Sequence, residues 1–166
     1  MTRPARNLLL LLLLQPLLAL GQTEHLLLVG QAQLKFLLWP IYDSRLYSTD
    51  GSYRDRQRPL RLEIQYLRDI DANDLVARTG AEWQQHSVPV NKQERWLQTL
   101  SDLWPDVSKN DVLTLHIDLN DKSTFYRNGS RLGAIDDPEF GQHFLDIWLS
   151  PETSRPELRQ ALLGQQ

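Results

Sequence analysis

The spacing of the hydrophobic residues changes along this chain from a period of two to a helical period and back, and this change restricts the fold more than any other feature. In residues 60–66 (LRLEIQY) apolar and polar side chains alternate, as in an antiparallel strand with one buried face. Between residues 73 and 104 the apolar side chains recur at helical spacing. Residues 113–119 alternate again. This order of strands and helices, followed by two more helices, predicts an α+β domain in which helices cover one face of an antiparallel sheet.

Local signals predict the ends of several strands. Residues 33–38 and 41–47 are predicted as strands. Pro40 between them cannot donate a ladder hydrogen bond, so a bend or bulge is expected there. Asn128-Gly129 lies between two short strand-like runs and predicts a tight hairpin.

Two helix starts are predicted from capping patterns. A helix is expected to begin at Asn91, where Glu94 three residues later completes a capping box. Asp137 followed by Pro138 predicts an N-cap with proline at the first helical position.

Composition excludes several classes of function. The 166 residues contain 18 basic and 21 acidic side chains, a formal net charge of -3, and no cysteine. Because no basic stripe is present, nucleic-acid binding is not expected. Without cysteine there is no disulfide, no thiolate zinc site and no cysteine nucleophile. The length suits one domain with one core.

The amino-terminal segment has the three parts of a secretory signal peptide. Two arginines lie within the first six residues, seven consecutive leucines follow from Leu8, and the run closes with the small residues Ala19 and Gly21. The apolar run is shorter than the roughly 20 residues of a membrane-spanning helix. We therefore expect a signal peptide over residues 1–21, a single domain over residues 22–166, and a periplasmic or secreted protein without an integral membrane anchor.

No catalytic or metal-binding motif accompanies this pattern. The four histidines are far apart, and none belongs to an H-x-x-x-H or HExxH spacing, so no metal site is predicted. The sequence has no G-x-S-x-G elbow for a serine nucleophile and no glycine-rich phosphate loop. No cofactor is expected. The tryptophans of the predicted helices are interpreted as core residues, with the lining of a pocket as the alternative.

Three stretches together resemble the bacterial chalcone isomerase-like family. They are LKFLLWPIYDSRLYSTDG at 34–51, YLRDID at 66–71, and the segment from NGSRLGAIDDPEF to RQALLG within 128–164. The resemblance covers about residues 29–164. It implies an open-faced β-sandwich, in which a layer of helices covers a large antiparallel sheet and a ligand cleft lies between them. The family includes enzymes that close a chalcone into a flavanone, as well as relatives that bind lipids.

The resemblance also implies which residues meet a ligand. The family's enzymes use an arginine on the first cleft strand to steady an anionic oxygen of the substrate, and that position is Lys35 here. A threonine position, which is tyrosine in lipid-binding relatives, corresponds to Tyr42. A polar position on the late helix corresponds to Ile147, beside Trp148. The helix at 73–85, which should supply the family's tyrosine and asparagine, has no tyrosine and no asparagine beyond its start. Because several donors are missing together, chalcone cyclisation is expected to be absent or very slow.

Lys35 and Tyr42 are predicted to hold the polar end of one apolar ligand. Their separation of seven residues would place them on opposite faces of a regular strand. A bend or one-residue bulge at Trp39-Pro40 would bring them to the same face. The alternative is that Lys35 is a solvated strand residue and Tyr42 belongs to the core.

Three functions remain open from the sequence. The favoured one is an exported, non-catalytic binder of a small amphipathic or fatty-acid-like ligand. The alternatives are an isomerase or lyase of the chalcone isomerase type with an altered substrate, and a structural or partner-binding envelope protein. The fold alone does not choose among them.

Overall fold

The computed structural model describes residues 25–165, so the predicted signal peptide lies outside the described part of the chain. In this part, six strands and four helices follow the predicted order. The strands are β1 (Leu27–Phe36), β2 (Trp39–Ser48), β3 (Leu60–Tyr66), β4 (Val112–Ile117), β5 (Ser123–Arg127) and β6 (Ser130–Ile135). The helices are α1 (Ala72–Trp83), α2 (Val90–Leu103), α3 (Phe140–Leu149) and α4 (Pro156–Leu162).

The six strands form one antiparallel sheet in which every strand pairs with its neighbour in sequence. Side chains alternate across such a sheet. On β3 this alternation is regular, because Leu60, Leu62, Ile64 and Tyr66 are buried while the residues between them are half-buried. One face of the sheet therefore carries the core, and the α+β fold predicted from the sequence is confirmed.

The core lies between this face and the helices. Its centre is a cluster of aromatic rings in edge-to-face and stacked contact, with centroids 5.4–6.5 Å apart. Trp83 of α1 and Trp96 of α2 are fully buried in it, which confirms their interpretation as core residues. None of the helices in residues 25–165 has the length and apolar content needed to cross a bilayer.

Both predicted ends of β1 and the predicted start of α2 are wrong. β1 begins at Leu27 rather than at residue 33, and it ends at Phe36 because the chain turns at Leu37-Leu38. α2 begins at Val90 without a side-chain cap. The carbonyl of Pro89 instead accepts the first backbone N–H groups of the helix, so the capping box predicted with Glu94 does not form.

The predicted N-cap at Asp137 is also wrong, because α3 begins three residues later, at Phe140. The Asp137 carboxylate accepts the backbone N–H of Glu139 at 3.1 Å and the indole N–H of Trp96 at 3.1 Å. It also forms an ion pair with Arg95. Asp137 therefore joins the turn before α3 to α2 instead of capping the helix.

The irregularity predicted near Pro40 is confirmed. Leu34 lies opposite Tyr42 and Lys35 lies opposite Pro40, so β2 carries Ile41 as one extra residue in the pairing of β1 with β2. The tight β5–β6 turn is confirmed as well, since both of its central residues have positive φ angles.

The last helix lies directly on the first strand. A Cβ atom at Gly30 of β1 would be 2.3 Å from the carbonyl oxygen of Ala161 and 2.6 Å from that of Leu162. Only glycine allows two backbones to approach this closely. The contact fixes the carboxyl-terminal end of α4 against β1. Arg155 lies just before the other end of this short helix, beside β1 and β2.

Candidate functional site

A cavity of about 330 Å³ lies between the sheet and the helices. This volume is within the range of about 300–1,000 Å³ that is usual for small-molecule sites. Most of its wall is apolar. The apolar side chains from strands and helices include Ile41, Ile64, Leu75, Leu113, Phe144 and Ile147.

All four residues predicted from the resemblance line this cavity. Ile147 is buried in its wall, and Tyr42 and Trp148 are half-buried. Lys35 is exposed and also borders an open depression of about 680 Å³ beside β1, β2 and α4, so it lies at the rim. Because Ile41 is the extra residue of β2, Leu34 rather than Lys35 is the direct neighbour of Tyr42 across the strands.

The polar centre of the cavity is the pair formed by Tyr42 and Trp148. The indole Nε1 of Trp148 donates a hydrogen bond of 2.8 Å to the hydroxyl oxygen of Tyr42. An indole N–H can only donate, so the Tyr42 oxygen accepts and its own O–H proton stays available. No side chain or carbonyl in residues 25–165 accepts that proton.

Burial keeps this phenol neutral. It raises the pKa of Tyr42 to about 12, against the smaller opposing effect of the Trp148 hydrogen bond. Tyr66 lies beside it, with ring centroids 6.2 Å apart, and burial likewise raises the pKa of Tyr66 above its ordinary value. Both phenols are therefore hydrogen-bond donors at neutral pH. The indole Nε1 of Trp104, which also lines the cavity, has no hydrogen-bond partner among the described residues.

The charged groups that act on Tyr42 come from α1 and from the start of α4. The largest charge effect on its pKa is that of Arg155, which favours the phenolate. Glu82, with 7% of its side chain exposed, opposes it, but Glu82 is paired with Arg78 and accepts a hydrogen bond of 3.1 Å from Ser154. Arg155 forms no ion pair within residues 25–165. It is thus the cation at Tyr42 that is free to meet an anion.

Sequence reasoning missed Arg155 and the Arg78–Glu82 pair. Arg155 is part of the carboxyl-terminal stretch that carries the family resemblance, but nothing in its local sequence shows that it faces a cavity. Its position depends on the packing of α4 against β1 and β2, which are far from it in sequence. No cluster of three or more acidic or histidine side chains in the described part of the chain is arranged to hold a metal ion.

A helix-covered antiparallel sheet that encloses an apolar cavity defines the class of open-faced β-sandwich proteins. Within that class, the model of the chalcone isomerase-like family matches residues 22–164. The chain therefore belongs to the chalcone isomerase-like family, as the resemblance predicted.

Two known proteins are similar to this chain. An uncharacterised protein of Haemophilus influenzae is 29% identical over 136 residues, which cover 82% of this chain and 67% of that protein. The crystal structure of a fatty-acid binding protein of Arabidopsis thaliana matches with a TM-score of 0.66, over 83% of this chain and 86% of that chain. Because the identity in the second comparison is 14%, it shows a shared fold alone.

Proposed function

We propose that the protein is an exported, non-catalytic binder of a small amphipathic, fatty-acid-like ligand, whose carboxylate is held at Tyr42 and whose apolar chain occupies the cavity. The observation that carries this proposal is the hydrogen bond from Trp148 to Tyr42. It turns the Tyr42 hydroxyl into a donor that has no acceptor in the described residues. A buried donor without an acceptor is unfavourable, and a ligand oxygen would satisfy it.

The charge at this place suits a carboxylate. Arg155 acts on Tyr42 more strongly than any other charged residue. A guanidinium and a neutral phenol supply a charged and an uncharged donor to one anionic group. Charge-assisted bonds of this kind contribute roughly 1.5–3 kcal/mol each. In this arrangement Lys35 is a second cation at the rim rather than the primary partner of the ligand.

The rest of the cavity suits an apolar chain. Its wall consists mainly of aliphatic and aromatic side chains from the sheet, α1 and α3. Burial of each methylene group there would contribute about 0.8 kcal/mol. The structural neighbour from Arabidopsis thaliana is described as a fatty-acid binding protein, which supports this choice of ligand class.

Two features favour binding over catalysis. A general acid or base works best with a pKa near the operating pH, whereas the pKa of Tyr42 is about 12. In addition, Ile147 stands where the family's enzymes have a polar residue, and its side chain cannot hydrogen-bond a substrate. Both features leave Tyr42 as a fixed donor to a bound ligand.

The test measures how tightly protein recovered from the periplasm binds a fluorescent fatty acid. Tyr42→Phe removes only the hydroxyl and should weaken binding about tenfold, because one hydrogen bond to a carboxylate is lost. Arg155→Met should weaken it at least as much, and more than Lys35→Met. Tyr47→Phe is the matched control, since Tyr47 lies on the same strand and bonds Glu63 outside the cavity.

Parental affinity in both Tyr42→Phe and Arg155→Met, with the fold retained, would show that the proposed site is wrong. The intact mass of the same preparation tests export. A mass that still includes residues 1–21 would contradict the cleavage on which the periplasmic location rests.

A further inference from the structure

The tip of the β1–β2 hairpin is apolar on both of its faces. Phe36, Leu37, Leu38 and Trp39 are consecutive, with exposed fractions of 63%, 81%, 92% and 70%. Successive residues of a hairpin point to alternate faces. The exposed apolar surface therefore surrounds the tip instead of forming one flat side. Large exposed apolar groups in a contiguous patch usually mark an interaction site.

Neither burial nor turn geometry explains the residue at the centre of this tip. Leu37 has a φ angle of 55°. This left-handed conformation is normally taken by glycine, asparagine or aspartate, because a branched apolar side chain is strained there. Leu37 recovers nothing by packing, since most of its side chain is exposed to solvent. A residue in a strained backbone conformation that does not stabilise the fold indicates a functional site.

We propose that this tip inserts into the surface of a lipid bilayer and that the docked protein exchanges its ligand with the membrane. The docking is inferred from the tip itself, and only the exchange rests on the proposed function. A protein partner would cover one face of a hairpin, whereas a bilayer surrounds an inserted tip and buries both apolar faces. Tryptophan is also the side chain that favours the interface between lipid and water, and Trp39 is the most exposed aromatic residue of the tip.

Two cations lie where lipid phosphates would meet the inserted hairpin. Lys35 directly precedes the tip, is exposed, and forms no ion pair with any described residue. Arg68 is also exposed and follows Leu67, whose backbone N–H donates to the carbonyl of Ile41 at 2.9 Å. This bond places Arg68 beside the base of the hairpin. Basic side chains next to an inserted apolar segment are attracted to anionic lipid head groups.

The tip is continuous with the mouth of the cavity. Lys35 and Phe36 line the cavity, and the next three residues do not. The apolar surface of the tip therefore starts where the lining of the cavity ends. With the tip inserted, the chain of an amphipathic ligand could pass from the bilayer into the cavity without being transferred through water.

The first experiment measures flotation of the protein with vesicles of phosphatidylethanolamine and phosphatidylglycerol. Leu38→Asp should weaken vesicle binding about tenfold or more. The variant loses a leucine that the bilayer would bury, and its new carboxylate is repelled by the anionic lipid head groups. Leu119→Asp is the matched control. Leu119 is 69% exposed, lies in the β4–β5 turn at the opposite end of the sheet, and receives the same change of charge. It should leave vesicle binding unchanged.

The second readout is quenching of tryptophan fluorescence by bromine-labelled lipids. We expect quenching in the parent and the loss of most of it in Trp39→Phe, which keeps the tip apolar. Trp83 and Trp96 are buried in the core, whereas Trp104 and Trp148 line the cavity and would be quenched only by a lipid chain that has entered it. Residues 1–21 contain no tryptophan, so they contribute no fluorescence of their own; the measurement uses protein whose intact mass shows that they have been removed.

The proposal is overturned if Leu38→Asp binds vesicles as tightly as Leu119→Asp, or if Trp39→Phe is quenched as strongly as the parent. It is also overturned if the parent sediments as a dimer that Leu38→Asp dissociates without lipid, because the tip would then contact a second copy. Leu38 does not line the cavity, so Leu38→Asp should keep its affinity for a fluorescent fatty acid in solution. Failure of docking and failure of ligand binding are therefore distinguishable.

Discussion

Asn128-Gly129 and Leu37-Leu38 close the two hairpins at the same end of the sheet. Asn128 and Gly129 have φ angles of 51° and 80°, which these two residue types adopt with little strain. Leu37 has nearly the same φ as Asn128, but it has a side chain that this conformation disfavours. The Asn128-Gly129 turn is thus suited to folding, whereas the Leu37-Leu38 turn carries residues that make the isolated protein less stable. A residue type that does not suit its local backbone conformation is typically found at a functional position.

The two turns also differ in how they are attached to the domain. The Asp111 carboxylate accepts hydrogen bonds from Arg127 at 2.7 Å, from the Asn128 side chain at 2.7 Å and from the backbone of Ser108 at 2.8 Å. In contrast, residues 36–39 form no side-chain hydrogen bond with the described residues. The Asn128-Gly129 turn is held by polar side chains, whereas the Leu37-Leu38 turn is attached to the domain only through β1 and β2.

The largest effect is expected when one turn is replaced by the sequence of the other. Leu37→Asn combined with Leu38→Gly should lower the affinity for vesicles about 100-fold, because two leucines that each contribute about tenfold are lost. Vesicle flotation measures the affinity, and circular dichroism confirms the fold. Vesicle binding equal to that of the parent would mean that the two turns do not differ in function.

A smaller effect is expected when the polar attachment is removed. Asp111→Ala should lower the free energy of unfolding by about 1–2 kcal/mol, since its bonds are charge-assisted but partly exposed to solvent. Hydrogen bonds from Asn128, Ser108 and Arg127 lower the pKa of Asp111 to about 2. Its contribution is therefore present above about pH 4 and is lost as the pH falls towards 2.

Urea unfolding at neutral pH and near pH 3 measures both parts of this prediction. The difference in stability between the parent and Asp111→Ala should shrink at the lower pH. If the two proteins unfold at the same urea concentration at neutral pH, then Asp111 does not hold the β5–β6 turn.

The smallest effects should have opposite signs in the two turns. Leu37→Asn should raise the free energy of unfolding by about 0.5–1 kcal/mol, because asparagine tolerates positive φ. Gly129→Ala should lower it by about 1 kcal/mol through backbone strain alone, since a Cβ at Gly129 would have no atom within 4 Å. Thermal unfolding gives both signs, and a decrease in both variants would remove the contrast between the turns.

Much of the fold follows from local patterns. The alternation in β3 and β4 and the Asn128-Gly129 turn predicted the centre and one end of the sheet. The first residues of β1 were missed, because an edge strand pairs on one side only and none of its residues is fully buried. The helix starts at Asn91 and Asp137 were wrong because Pro89 and a contact with α2 replaced the local capping partners.

The site was predictable only where the family resemblance reached it. Tyr42, Ile147 and Trp148 line the cavity as the resemblance implied, while their role in binding stays a prediction. The hydrogen bond from Trp148 to Tyr42 joins a helix to a strand and leaves no trace in sequence spacing. The displacement of Lys35 to the rim has a similar origin, because the position of the extra residue in β2 decides which neighbour lies opposite Tyr42.

The contact of α4 with Gly30 has a consequence at a distance. Gly30 does not line the 330 Å³ cavity, but a single methyl group at this position would have to push the backbone of α4 away from β1. Arg155 immediately precedes α4 and would move with it, and its charge would shift relative to Tyr42. Interiors are too densely packed to absorb such a displacement locally. If the cavity binds an anion as proposed, its affinity should therefore depend on a backbone contact that the ligand does not touch.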